Sequence, residues 1–184
     1  MDIYKFLELF VGRWRSQRSD HQFGQENGND SRSVLDIKFL EADQSEVVGI
    51  CQKFNIDLSL PELVIRALHM SWEEESLSSN KPKGQTMFVV VFDKAIANQN
   101  IEEGQTGIVL SALGKGHFTL SADESLTIQT ETEQGKVVER IWYGNPNLRF
   151  RVATVLQDAP ESDQQNLLVQ SSKFYSEIRV SSPQ

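Results

Sequence analysis

Apolar and polar residues alternate with a period of two over most of this chain, the spacing of strands that bury one face. A first strand opens near Arg13, with Trp14, Ser16 and Arg18 on one face and Arg13, Arg15 and Gln17 on the other. Further strands are predicted at Ser33–Leu40, Leu63–Glu74, Gly84–Phe92, Thr106–Leu113, His117–Ser121, Ser125–Glu133, Val137–Tyr143, Leu148–Gln157 and Leu167–Val180. Their separators are turn-formers: 78–84 is rich in Ser, Asn, Pro and Gly, and Gly114-Lys115-Gly116, Ala122-Asp123-Glu124 and Gln134-Gly135-Lys136 follow. Two segments have helical spacing instead. Ile3, Phe6, Leu7 and Phe10 form one stripe after Asp2, a capping residue, and Gly12 ends it. Val47, Val48, Ile50, Cys51 and Phe54 form a second within Asp43–Phe54, with Asp43 and Ser45 as candidate caps. Asp20–Ser31 and Asp158–Gln165 are polar and read as loops.

Ten strands with short connections predict a mainly β fold, an antiparallel up-and-down barrel with an N-terminal helix and one short internal helix. Closing such a sheet removes its edges and leaves room inside for one ligand. The first helix is too short to stand alone and suits a plug at one end. The chain has 184 residues, and no internal repeat divides it, so residues 1–184 are expected to form one domain.

Composition narrows the function. Hydrophobic content of 39% and charged content of 24% are those of an ordinary soluble domain. A net charge of −8 opposes general nucleic-acid binding. No apolar run reaches a membrane span, and the N-terminus lacks a signal-peptide pattern, which predicts a cytoplasmic protein. The single cysteine, Cys51, lies on the apolar helix stripe and reads as a small core residue. His21, His69 and His117 are isolated, so no metal site is predicted. There is no nucleophile elbow, and Gly114-Lys115-Gly116 lacks the spacing of a phosphate loop. Met87, Val89 and Val91 lie on a strand face that is either an interface or barrel core.

Candidate chemistry lies in charges on strands. In Tyr143-Gly144-Asn145-Pro146-Asn147-Leu148-Arg149-Phe150-Arg151 a turn feeds a strand whose apolar face is Leu148, Phe150 and Val152. Arg149 and Arg151 share the opposite face, about 7 Å apart. They either point at solvent or enter the hollow of a curved sheet and hold an acidic ligand, for which the planar guanidinium is suited. Arg18 follows Trp14 on its inward face. Glu139 shares a face with Ile141 and Tyr143, and Glu177 with Tyr175 and Arg179; each carboxylate is either solvated or a cavity group. Trp72 and Trp142 read as wall or core residues.

Three stretches taken together, Gly12–His21, Gly144–Arg151 and Ser176-Glu177-Ile178-Arg179, resemble the S-type (CpcS/CpeS-like) phycobiliprotein chromophore lyases. The likeness runs from the N-terminal helix to the last strand. It implies a lipocalin-like calyx of ten strands. It also implies binding of a free open-chain tetrapyrrole, phycocyanobilin or phycoerythrobilin, as substrate, with no permanently bound cofactor. That bilin is then joined by a thioether to a cysteine of a phycobiliprotein α or β subunit. Position by position, Arg18, Arg149 and Arg151 match arginines expected at the bilin propionates, and Glu139 and Glu177 match carboxylates near the pyrrole nitrogens. Trp72, Trp142 and Tyr143 complete the expected bilin contacts, with Glu139 and Glu177 as the catalytic pair. The family also implies a homodimer, or a heterodimer with a homologous lyase subunit. One departure is Gln22, where the family often has a second histidine. A non-catalytic bilin carrier is the competing reading.

Overall fold

The computed structural model describes residues 1–23, 28–75, 81–96, 104–132, 135–158 and 167–180. Helix α1 (Ile3–Phe10) precedes β1 (Gly12–Gln22) and β2 (Asn29–Leu40); α2 (Ser45–Lys53) follows, then β3 (Leu63–Glu74), β4 (Lys83–Asp93), β5 (Gln105–Ser111), β6 (Gly114–Leu120), β7 (Leu126–Thr132), β8 (Gly135–Asn145), β9 (Leu148–Asp158) and β10 (Leu167–Arg179). Each strand pairs antiparallel with its sequence neighbour, and β1 pairs with β10 to close the barrel. The predicted architecture is the observed one.

Boundaries differ in instructive places. Gly114-Lys115-Gly116 is strand rather than turn: it opens β6 and pairs with 109–111 of β5. Residues expected to be loop, Asp20–Gln22 and Asn29–Ser31, extend β1 and β2, because the cross-strand ladder continues through these polar residues. Of the remainder of that expected loop, 24–27 lie outside the described residues, as do most of the loop at 158–165 and part of the turn at 78–84.

Helix α1 closes one end of the barrel. Asp2 caps it, accepting from the Lys5 N–H at 2.8 Å. Ile3, Phe6 and Leu7 are buried against inward residues such as Leu68, Val90, Phe118 and Ile141. The helix is clasped from the other end of the chain. Arg179 donates to the Leu9 and Val11 carbonyls at 2.7 and 2.6 Å and stacks on Trp14, satisfying carbonyls that the helix end leaves free. Gly12 follows with φ +131, and a Cβ there would overlap the Arg179 guanidinium.

Two apolar clusters lie on opposite sides of the β3–β5 wall. The inner one fills the barrel. The outer one joins Ala67, Val89, Val91 and Leu110 to Val47 and Cys51 of α2. Val89 and Val91 are therefore neither interface nor barrel interior; they form a second core under α2. Neither Asp43 nor Ser45 caps this helix: Gln44 is the N-cap residue and makes no side-chain cap bond. Burial raises the Cys51 thiol pKa, in keeping with a core residue. No described helix is long and apolar enough to cross a membrane.

Candidate functional site

Strands β8, β9, β10 and β1 each turn charged residues inward. The registers align these inward residues in rows across the wall. One row is Tyr143, Arg149, Glu177 and Ser16. The next, toward the end opposite α1, is Ile141, Arg151, Tyr175 and Arg18. Beyond it lie Glu139, Ala153, Lys173 and Asp20. Glu139, Arg149 and Arg151 line the interior cavity with Ile3, Leu7 and Phe10 of the plug.

The centre of this wall is a buried ion cluster. Arg149 and Glu177 are 2% and 0% exposed. Arg149 Nε donates to Glu177 Oε2 at 2.5 Å, and Arg151 Nη2 lies 3.9 Å from Glu177 Oε1. The Arg149 guanidinium also lies 4.2 Å from the Phe10 ring and 4.5 Å from the Trp14 ring, which hold its plane. Arg151 stacks over Tyr175 at 3.9 Å.

Burial by itself would raise the Glu177 pKa. The charges of Arg149 and Arg151, with hydrogen bonds from Arg149 and Ser16, outweigh it and hold the carboxyl below its usual range. Burial likewise opposes the charge on Arg151, but Glu177 and Glu139 more than compensate. Tyr143 is pushed up to about 12 by burial, against the pull of Arg149, so its phenol keeps its proton.

Two guanidiniums share the one buried carboxylate. Among the described residues, Arg149 Nη1, Arg151 Nε, Glu177 Oε1 and the Tyr143 hydroxyl have no hydrogen-bond partner. Buried polar atoms without partners are costly and uncommon. Unpaired guanidinium donors on a cavity wall suit an anion with two acceptor oxygens. Free space in the cavity is about 40 Å³, enough for a carboxylate but not for a multi-ring molecule.

Arg18 faces inward near the open end, 4.0 Å from Glu74, and its Nε also lacks a hydrogen-bond partner among the described residues. Trp72 packs against the inner cluster. It lies across Gly84, where a Cβ would overlap the indole, and lines the rim with Glu74 rather than the narrow cavity. Trp142 does not join the site. Adjacent strand residues face opposite ways, so with Ile141 and Tyr143 inward Trp142 lies outside, stacked on Phe150 at 5.6 Å with Arg140 over its ring. Phe10 and Tyr175 belong to the wall and were not singled out from the sequence. Tyr175 was legible by its parity with Glu177; Phe10 was not, since a helix contact carries no register signal.

The family model described as CpeS-like protein matches residues 2–180. A Trichodesmium erythraeum protein named chromophore lyase CpcS/CpeS 3 is 31% identical over 185 residues, covering 97% of this chain and 99% of that one. A Picosynechococcus protein named phycocyanobilin lyase subunit CpcS is 29% identical over 160 residues, covering 84% and 78%. The solved structure of the S-type phycobiliprotein lyase CPES from Guillardia theta superposes with a TM-score of 0.77 at 27% identity, covering 100% of this chain and 95% of that chain.

Proposed function

The chain belongs to the CpeS-like protein family, and from that premise we propose that it is a bilin lyase, joining an open-chain tetrapyrrole to a cysteine of a phycobiliprotein subunit. The observation that carries this reading is the buried Arg149–Glu177–Arg151 cluster, with guanidinium donors left unpartnered on the inner wall. A bilin brings two propionates, the anions such donors recognise. The cavity's free volume admits a carboxylate end only, so the rings lie toward the open end, beside Arg18 and Trp72.

The two carboxylates then have different tasks. Glu177 is enclosed by arginines and held ionised, so it positions the clamp and is not a proton donor. Glu139 lines the cavity without an ion-pair partner within 4 Å among the described residues. It is the carboxyl group that meets the pyrrole N–H groups and favours the protonated, more electrophilic ring system. The acceptor's sulfur bonds to the exocyclic ethylidene carbon. The double-bond electrons shift into the ring and take up a proton, and the thiol proton is released. No atom is oxidised or reduced. The nucleophile is the acceptor's, so the buried Cys51 has no part. Fixing the bilin's orientation supplies the remaining acceleration. The site of action is the cytosol, or the stroma of a plastid.

The test is to mix the chain with phycocyanobilin and an apo phycobiliprotein β subunit, denature, and read bilin fluorescence on the acceptor. Adduct above the uncatalysed level is expected. None, across several bilins and acceptors and with a homologous lyase subunit added, defeats the proposal. Bilin uptake without transfer would instead make the chain a carrier.

A further inference from the structure

We propose that the outer face of β8–β10 is the docking surface for the acceptor polypeptide, a deepening that rests on the lyase reading. With Arg149, Arg151 and Glu177 turned inward, the alternate residues Leu148, Phe150, Phe174 and Ile178 are turned out. Trp142, Phe150 and Phe174 form a continuous ladder, with ring centroids 5.6 and 6.0 Å apart. Phe174 is 41% and Ile178 58% exposed. The equivalent apolar outer face on β3–β5 is covered by α2; no described element covers this one.

The fringe says what fits. Arg13 and Arg15 border the patch on β1, and Arg140 borders it on β8. All three guanidinium side chains are half-exposed or more, and among the described residues each has one exposed or half-exposed intramolecular carboxylate within 4 Å, Asp36, Glu75 and Asp123 respectively. Solvated pairs of this kind are weak and can be exchanged. An apolar surface fringed with carboxylates is the complement. A second copy of this chain, meeting the patch isologously, would bring guanidiniums against guanidiniums. Aromatics ringed by arginine are the composition of binding hot spots, and the partial cover of Trp142 and Phe150 suits a partner that binds and leaves. Position agrees: Phe150, Phe174 and Ile178 alternate with Arg149, Arg151, Tyr175 and Glu177, so a protein seated here lies against the outside of the wall that carries the ion cluster.

The experiment uses the full chain and its Phe174→Asp, Ile178→Asp and Arg140→Glu variants, each first checked for an unchanged melting transition. Bilin uptake is read by absorbance, affinity for an apo phycobiliprotein β subunit by titration without bilin, and adduct formation with the subunit and with a small free thiol. The expected result is unchanged uptake and small-thiol adduct, with affinity for the subunit and transfer to it reduced about tenfold or more. Wild-type subunit affinity in Phe174→Asp and Ile178→Asp overturns the proposal, as does a wild-type chain with no affinity for the subunit. A wild-type dimer that these variants dissociate also overturns it, giving the patch to a second copy. If the chain takes up no bilin, the lyase reading fails, yet bilin-free affinity still judges the surface.

Discussion

Two walls of the same barrel solve opposite problems. In the β3–β5 wall both faces are apolar: Leu68, Val90 and Val109 point in, Ala67, Val89 and Leu110 point out, and α2 seals the outside. In the β8–β10 wall charge moves inside: on β9 and β10, Arg149, Arg151 and Glu177 face in while Phe150 and Phe174 face out. The first wall carries hydrophobic stability. The second spends that stability on a charged cluster tolerable only because Glu177 is shared by two guanidiniums. Function is concentrated where the fold departs from its most stable arrangement.

The contrast can be broken by putting one charge on the outside of each wall. Val89→Asp should cost more than about 4 kcal/mol, since it buries an unpaired carboxylate under α2; urea unfolding of the variant checks this, and a near-native midpoint would refute the sealed second core. Inside the other wall, Glu177→Gln leaves two guanidiniums without their counter-charge and should cost about 3 kcal/mol. The same variant carries a pH signature. Because the folded carboxyl pKa is lowered, its contribution is present above the ordinary carboxylate value and is lost as pH falls through the lowered one. Wild type should therefore lose stability on acidification more steeply than Glu177→Gln, as measured by denaturation at stepped pH. Gly84→Ala forces the Trp72 indole off its neighbour and should cost about 1–2 kcal/mol, with a shift in tryptophan fluorescence; an unchanged spectrum would argue against that contact. Smallest of all, Phe174→Asp on the outer face should change stability by less than about 0.5 kcal/mol, in contrast to Val89→Asp in the same measurement.

Strand number, both helices and the closed barrel were legible because periodicity and turn chemistry are local signals. The sense of each strand was not. Alternation puts Arg149 opposite Phe150 but does not say which of them is inside, and the usual rule that apolar residues are buried points the wrong way for β9. Only the likeness to a ligand-binding family tipped the arginines inward. Parity also sets a limit: Trp142 and Tyr143 are adjacent in one strand, so both cannot reach the same ligand. The different surroundings of Glu139 and Glu177 needed the third dimension, since nothing in sequence spacing says that Arg149 and Arg151 close on Glu177 and leave Glu139 to the cavity.

The hydrogen bond from Arg179 to Leu9, which spans 170 residues, bears on the order of events during synthesis. The first helix is made before its clasp and before the strand that completes the ion cluster. A nascent or prematurely ended chain would thus hold neither its plug nor Glu177, and its first strand would remain an open edge. Closure of the barrel and of its ion cluster therefore waits on β10, so a polypeptide that ends before that strand cannot assemble the cluster.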